Sequence, residues 1–280
     1  MKKGKHNRIL ISYGDSRFIE SLKRLARKAP KSGLFDKVIV YTPKDLPLSI
    51  LSSPLYAYEK GGGYWVWKPY IIRHTLSLCD EGDTIYYIDA GCTINPLSEE
   101  WILFQKQMEN HNAIFFQYRE NVKYAGWERF CTLEEYNSAK IKHWIKPSTR
   151  YFFNEYFRDE SYLDFGKIWA GCCIVKKTKN PLSTIEEWFN ITMFHPEYVM
   201  DPFGCDLSRL PESFNAHRHD QSIITPLVYY YGKEDNILVL PETAESNPGK
   251  AAVVASRYKL GHLPFLQYLK YRIYNMIYRD

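Results

Sequence analysis

The sequence of 280 residues contains no long hydrophobic run. No segment approaches the roughly 18 apolar residues that a membrane-spanning helix requires. The apolar stretch at residues 9–11 is also far shorter than the core of a signal peptide. These two absences predict a soluble, cytoplasmic protein.

The sequence also lacks any cysteine-based site. Its cysteines form no CxxC pair and have no companion histidines at zinc-finger spacing. They are Cys79, Cys92, Cys131, Cys172, Cys173 and Cys205. A chain of this length can build a large core without disulfides, so we expect reduced, mostly buried thiols.

No Pro-, Gly- or Ser-rich linker divides the chain, which predicts one domain over residues 1–262. The tail that follows, residues 263–280, has apolar residues at helical spacing flanked by lysine and arginine. This pattern is typical of a basic amphipathic helix on an anionic membrane surface, and a helix packed on its own domain is the alternative. The formal charge is +5, but no RNP-like, helix-turn-helix or zinc pattern appears, so nucleic acid is not expected as a partner.

Aromatic residues are abundant instead: 16% of the chain, with 23 tyrosines and 7 tryptophans. Several stand beside glycines and charges and not within apolar runs. Aromatic rings in such places suit stacking on sugar rings and nucleobases, although packing in the core is the commoner use.

The hydrophobic pattern opens with a strand at residues 8–13, a helix that Gly33 ends, and a strand at 36–42. This βαβ order predicts an α/β fold with a central, mostly parallel sheet flanked by helices. Residues 119–164 show no clear period and are predicted to shape an acceptor site. The remaining predicted strands are 84–88, 113–118, 168–175 and 236–240. The remaining predicted helices are 69–78, 98–110, which Ser98 caps, and 181–194. A last helix opens within 215–222 and reaches Tyr230 despite Pro226.

Asp89 follows a hydrophobic strand directly, in Tyr87-Ile88-Asp89-Ala90-Gly91. Open α/β folds place their ligands at this carboxyl edge of the sheet, so the carboxylate suits a metal ion or a ribose. The alternative is an aspartate that caps the next loop.

The segment His217-Arg218-His219-Asp220-Gln221 stands at a predicted helix start. Ionisable groups there can present an acid, a base or a metal ligand to a bound phosphate. The alternative is that Asp220 is a helix N-cap and the histidines are solvated.

Two further segments combine glycine with tryptophan. In Gly61-Gly62-Gly63-Tyr64-Trp65-Val66-Trp67-Lys68-Pro69 the glycines permit close approach of a ligand, and Lys68 is placed to meet a phosphate, although the tryptophans could equally be core. No GK[ST] follows, so this is not a P-loop. In Trp169-Ala170-Gly171 the glycine indicates a bulge or a close approach, or simply packing.

The order of these segments resembles that of the GT-A glycosyltransferases. In that family a nucleotide-binding βαβ half leads to an Asp-x-Asp motif, an x-Ala-Gly strand and an Asp-Gln segment. The matching positions here are Ser12-Tyr13-Gly14-Asp15, Asp89-Ala90-Gly91, Trp169-Ala170-Gly171 and Asp220-Gln221. The stretch 63–69 is more specifically similar to bacterial capsule and O-antigen glycosyltransferases, and the resemblance covers residues 8–240.

This resemblance implies a single GT-A-like, Rossmann-like domain that transfers a sugar from a nucleotide-sugar donor. A UDP-sugar is the first donor to expect. The acceptor would be a hydroxyl of a surface polysaccharide or of a lipid-linked glycan at the inner face of the membrane. The implied catalytic residues are Asp220 and Asp89. The implied donor-binding residues are Ser12, Tyr13, Asp15, Trp67, Lys68, Asp89, Gly91 and Gly171, and the acceptor-binding residues are Trp65, Trp169, His219 and Gln221.

Asp220 has two open roles. It is either a base that deprotonates the acceptor in an inverting reaction, or a carboxylate that steadies the oxocarbenium-like sugar in a retaining one. The similarity of the x-Ala-Gly and Asp-Gln pair to retaining families favours the second role.

The third position of the Asp-x-Asp motif is Gly91, so one carboxylate stands where the family usually has two. A divalent cation, Mn²⁺ or Mg²⁺, would then be held by Asp89 with water and diphosphate oxygens, and His217, His219 and the late His262 are candidates for a further ligand. The rival interpretation is a non-catalytic protein that binds carbohydrate or nucleotide. A dinucleotide-dependent oxidoreductase is not expected, because residues 12–16 lack the required glycine spacing.

Overall fold

The structure is a computed structural model that describes residues 6–120, 122, 139–202, 211 and 214–256. The predicted C-terminal helix at 263–280, His262, Cys131 and Cys205 lie outside the described residues. None of the helices in these described ranges combines the length and the hydrophobicity that a membrane span requires.

A six-stranded sheet forms the centre, in the spatial order β2-β1-β3-β6-β5-β7. Five of its strands run in one direction and β6 alone is antiparallel to its neighbours, so the predicted α/β fold with a mostly parallel sheet is confirmed. A separate two-stranded ribbon pairs β4 with β8, which the sequence had not indicated. The strands are β1 (Arg8–Tyr13), β2 (Lys37–Tyr41), β3 (Thr84–Ile88), β4 (Thr93–Ile94), β5 (Ala113–Gln117), β6 (Ile168–Lys176), β7 (Ile237–Pro241) and β8 (Val253–Val254).

Helices flank this sheet and pack on one another. The helix Asp220–Tyr231 lies against β6 and against Ser183–Phe194, which in turn contacts Trp67–Ser77. The helices of the described residues are Ile19–Lys28, Leu48–Leu51, Trp67–Ser77, Glu100–Asn110, Pro147–Phe157, Ser183–Phe194, Pro196–Val199 and Asp220–Tyr231.

Three local predictions are corrected. The first helix ends at Lys28, and Gly33 instead ends a short 3₁₀ turn with a left-handed φ of 70°. The helix expected from residue 98 begins at Glu100, whose amide donates to the Ser98 hydroxyl at 3.3 Å. The irregular region 119–164 contains the helix Pro147–Phe157, which was missed because aromatic residues cover more than one of its faces.

The core is built around the middle of the sheet. Every residue of β3 is buried, and only the last residue of β6 is not, whereas the edge strands β2 and β7 are mostly half-buried. The four described cysteines are unpaired and three are buried, as predicted.

Strand direction decides which residues meet at the edge of the sheet. Strands β1 and β3 are parallel neighbours, so the residues after Tyr13 and Ile88 emerge at the same edge. Strand β6 begins at that edge because it is antiparallel to β3. The amide of Asp89 donates to the carbonyl of Gly171 at 2.9 Å, which fixes the start of the loop after β3 beside β6.

Candidate active site

Two adjoining cavities open at this edge of the sheet. The first has a volume of about 590 Å³ and the second about 400 Å³. We call the wall that both cavities share the junction. It consists of Lys60, Trp65, Asp89, Trp169, Arg218 and Gln221.

Aromatic rings close one side of the first cavity. The ring of Tyr13, at the end of β1, stacks on that of Trp67 with centroids 4.1 Å apart and an interplanar angle of 21°. The Trp67 indole N–H donates to the carbonyl of Gly61 at 3.0 Å, which orients the ring. Beside them, Asp15 accepts from the guanidinium of Arg17 at 2.5 Å.

Lys68 is an enclosed cation between the two predicted catalytic carboxylates. Its Nζ lies 2.6 Å from Asp220 Oδ2 and 3.5 Å from Asp89 Oδ1, and it donates to the carbonyl of Ala170 at 2.9 Å. Its side chain is only 2% exposed. Burial alone would lower the pKa of Lys68, but the charges of Asp220 and Asp89 outweigh it and raise that pKa.

Asp89 occupies the junction, with its side chain 35% exposed to the cavities. Burial raises the pKa of its carboxyl above the ordinary value, although Lys68 and the Tyr87 hydroxyl act in the opposite direction. Both of these partners engage Oδ1, since Tyr87 donates a short hydrogen bond to that oxygen. Among the described residues no donor reaches Oδ2, which leaves that oxygen for a ligand.

Asp220 is the first residue of its helix and lines the second cavity. Oδ2 is held by Lys68, and Oδ1 accepts from the amide of Gln221 at 2.9 Å. Each oxygen of the carboxylate therefore accepts one hydrogen bond, and these two bonds fix its orientation at the wall of the second cavity.

The glycine-rich segment forms a left-handed turn. Five successive residues, Gly61 to Trp65, have φ between 47° and 92°. Glycine adopts this conformation freely, whereas each of the two other residues, Tyr64 and Trp65, costs about 1–2 kcal/mol. Tyr64 is buried and donates through its hydroxyl to Asp201 at 2.8 Å, which helps to offset that cost.

This turn brings Lys60 and Trp65 to the junction. The Trp65 ring stacks on His219 at 5.6 Å and 22°. Lys60 binds Asp201 at 2.9 Å, and His219 Nε2 is 3.6 Å from the same carboxylate. Burial lowers the pKa of His219, so at neutral pH its ring is an uncharged platform for Trp65.

The predicted donor-binding residues are divided between the two cavities. Tyr13, Asp15, Trp67, Asp89 and Gly91 line the first cavity, while Lys68, Asp89 and Gly171 line the second. Ser12 lines neither, because its enclosed hydroxyl donates to the carbonyl of Ile88 at 2.6 Å.

All four predicted acceptor-binding residues surround the second cavity. Trp65, Trp169 and Gln221 belong to the junction, and His219 lines the second cavity alone.

Gly171 is required by packing, since an added Cβ would lie 2.5 Å from the Trp169 ring.

Sequence reasoning missed several charged residues of the cavity walls. Lys60 and Asp201 carry no motif, and Lys167 and Glu245 lie beyond the segments that drew attention. Arg218 stands within the segment 217–221, but the pattern of that segment assigns it no role of its own.

The divalent cation expected at Asp89, with water and diphosphate oxygens as its other ligands, stays a prediction. No three His, Cys, Asp or Glu side chains among them come together as a ligand group. Both ring nitrogens of His217 contact backbone, at Lys146 N and Tyr198 O, and Nδ1 of His219 contacts Val199 O. Asp89 lines both cavities, and the ammonium group of Lys68 stands 3.5 Å from its Oδ1. The prediction for His262 lies outside the described residues.

No protein-family model matches this chain, and no curated protein sequence matches it. Among solved structures it is similar to a glycosyltransferase involved in glycosylation of the major capsid of PBCV-1, with 11% identity, 91% of this chain and 95% of that one covered, and a TM-score of 0.45. It is also similar to mouse xyloside xylosyltransferase 1, with 12% identity, 83% of this chain and 84% of that one covered, and a TM-score of 0.41. A third similar structure is the galactosyltransferase LgtC in complex with donor and acceptor sugar analogues, with 12% identity, 82% of this chain and 72% of that one covered, and a TM-score of 0.34. These identities and scores do not by themselves establish an activity for this chain.

Proposed function

We propose that this chain is a nucleotide-sugar-dependent glycosyltransferase that moves a sugar to a hydroxyl of an acceptor glycan. One observation carries the proposal: an enclosed lysine of the second cavity, Lys68, contacts both Asp89 of the junction and Asp220. A transferase needs two adjacent compartments, one for the donor and one for the acceptor, with charged groups between them.

The first cavity suits the donor. Its volume lies within the range of small-molecule sites, and the aromatic wall of Tyr13 and Trp67 is of the kind that stacks on a flat base. A UDP-sugar is the donor that we propose to test first.

The second cavity suits a sugar acceptor. Its wall combines the ring of Trp65, for the apolar face of a sugar, with the carboxylates of Asp201 and Asp220, for its hydroxyls. We propose a bacterial surface polysaccharide or a lipid-linked glycan as the acceptor, with the tail at 263–280 bringing the enzyme to an anionic membrane.

The reaction breaks the bond between the anomeric carbon and a diphosphate oxygen, and that oxygen keeps the electron pair. The acceptor hydroxyl oxygen bonds to the anomeric carbon, and its proton passes to the departing diphosphate. Asp220, held in place by Lys68, stabilises the positive charge that develops on the sugar ring. This role corresponds to retention of configuration.

The variant Asp220→Asn tests the assignment. It keeps the size of the side chain and an acceptor oxygen but removes the charge, so kcat should fall about 100- to 1000-fold. Asp89→Ala should lose transfer to a similar degree. Release of nucleoside diphosphate from a panel of nucleotide sugars measures the rate, and circular dichroism measures folding.

Asp164→Asn is the matched control, because Asp164 is also a lysine-paired carboxylate but lies outside both cavities. It should keep the parent rate. Normal turnover by Asp220→Asn would contradict the role given to Asp220. Binding of nucleotide sugars without any hydrolysis or transfer would favour the non-catalytic alternative.

A further inference from the structure

Three basic residues line the proposed donor compartment in addition to Arg17, which is paired with Asp15. Arg218 and Lys60 belong to the junction itself, and Lys167 lines the first cavity. Arg218 lies just before the helix Asp220–Tyr231, Lys60 just before the left-handed turn, and Lys167 just before β6. The fold thus gathers positive charge at the place where the two cavities meet.

Arg218 is held in a fixed orientation. Its guanidinium lies over the ring of Trp144, 4.7 Å from the centroid. Its backbone amide contacts Trp144 O at 3.1 Å and Ser222 Oγ at 2.9 Å. Arg218 lines both cavities, and a guanidinium is planar with donors that match phosphate oxygens.

Lys167 is enclosed next to Arg218. Its Nζ donates to Gln221 Oε1 at 3.0 Å and lies 3.8 Å from the centroid of the Tyr118 ring. Burial, and after it the charge of Arg218, lowers the pKa of Lys167. An anion bound beside Lys167 and Arg218 would favour the charged form of Lys167, because an opposite charge offsets both effects.

Carboxylates also face this group. Glu245 lines the first cavity, and Glu242 is close enough to influence Lys167. Burial raises the pKa of Glu242 to about 8, so at neutral pH it is mostly protonated and cancels little of the positive charge. The other carboxylates of the first cavity are Asp89 and Asp15, and Asp15 is paired with Arg17. Lys60 itself is paired with Asp201 at 2.9 Å.

We propose that Arg218, with Lys167 and Lys60, binds and neutralises the diphosphate of the donor, in the place that a divalent metal ion would take. This inference rests on the proposed function. As the bond to the anomeric carbon breaks, the electron pair goes to the diphosphate oxygen, and the guanidinium of Arg218 stabilises that charge. On this proposal the charge of the diphosphate is offset by side chains of the chain itself, and Asp89 is not required as a metal ligand.

The test measures binding of UDP and of inorganic pyrophosphate to the full chain by calorimetry, in EDTA and separately with Mn²⁺. The parent should bind both ligands in EDTA. Arg218→Gln should weaken that binding about 10- to 100-fold, which is the usual range for a lost charge-assisted hydrogen bond, and Arg218→Lys should weaken it less.

Arg73→Gln is the control. Arg73 also stacks on an aromatic ring at 4.7 Å, that of Phe189, but it lines neither cavity. Equal weakening by both Gln variants would overturn the proposal. Binding by the parent that appears only with Mn²⁺ would also overturn the proposal. This outcome does not depend on whether any variant folds.

The outcome is separate from that of the proposed function. Sugar transfer that is lost in EDTA and restored by Mn²⁺ would leave the glycosyltransferase assignment standing and reject the role of Arg218. Tight binding of pyrophosphate in EDTA, without transfer from any donor, would support the anion site and reject the transferase.

Discussion

Ser12 shows how a residue within a ligand-binding motif can act inside the sheet instead. Its hydroxyl joins β1 to the carbonyl of Ile88 in β3 at 2.6 Å and is completely buried. Ser12→Ala should therefore reduce the free energy of unfolding by about 1 kcal/mol and leave the KM for the donor unchanged. Urea denaturation and steady-state kinetics measure the two quantities. A large rise in the KM for the donor, with the free energy of unfolding unchanged, would show instead that Ser12 takes part in donor binding.

Glu242 gives a prediction on pH. Burial raises the pKa of this carboxyl from 4.5 to about 8, and its Oε2 has no hydrogen-bond partner among the described residues. Between those two values the folded chain keeps a proton that the unfolded chain has lost, so this residue makes stability fall as pH rises.

Glu242→Gln imitates the protonated form at every pH. The variant should match the parent near pH 5 and exceed its free energy of unfolding by about 2–4 kcal/mol at pH 8.5, because each pKa unit is worth about 1.4 kcal/mol. Urea denaturation across this range measures the difference. A variant that is less stable than the parent at pH 8.5 would show that the folded chain needs the ionised carboxylate.

Several site residues were predictable one by one, but their pairing was not. Asp89 follows a hydrophobic strand and Asp220 stands at a helix start, which are local signals. The contact of Lys68 with Asp220 joins residues 152 positions apart, and no local pattern encodes it. Asp201 carries no signal at all, because its role depends on a turn some 140 residues earlier, which brings Lys60 and Tyr64 to it.

At the level of elements, the left-handed turn can be tested by a series of glycine substitutions. Gly249→Ala places a methyl group in open space, and Gly33→Ala adds only the cost of a φ of 70°. Gly63→Ala combines a φ of 92° with a Cβ 2.7 Å from the Cα of Tyr56, so backbone must move.

Urea denaturation should show that the free energy of unfolding falls by about 0 kcal/mol in Gly249→Ala, about 1 kcal/mol in Gly33→Ala and about 3 kcal/mol in Gly63→Ala. Gly63→Ala should also weaken acceptor binding, because it displaces Trp65 from the junction. Equal losses for Gly33→Ala and Gly63→Ala would contradict the tight packing of the turn on Tyr56.

The elements themselves were predicted where their hydrophobic period is clear. The strands of the sheet fall close to their predicted bounds, and the helix through Pro226 was expected. The reversed direction of β6 was not indicated by its sequence, since a buried strand looks the same whichever way it runs. The left-handed turn was visible only as three glycines, and nothing showed that Tyr64 and Trp65 continue it.

At the level of the whole molecule, a ligand that binds only the folded chain must stabilise it. A donor present at about 100 times its Kd adds about 2.7 kcal/mol, which for a chain of this size raises Tm by about 5–10 °C. Thermal unfolding with UDP-, GDP- and CMP-sugars should single out one nucleotide. Equal shifts with all three would mean that the first cavity does not discriminate between bases.

The enclosed ammonium of Lys68 also makes the two cavities thermodynamically dependent on each other. It neutralises one carboxylate of the junction and one of the second cavity at once, so a ligand that changes the charge around Asp89 alters how strongly Lys68 holds Asp220. Such linkage is reciprocal: if an occupied first cavity changes the affinity of the second by some factor, an occupied second cavity changes the first by the same factor. Donor and acceptor affinities of this chain are therefore one coupled quantity, and a constant measured for either ligand holds only for the stated occupancy of the other.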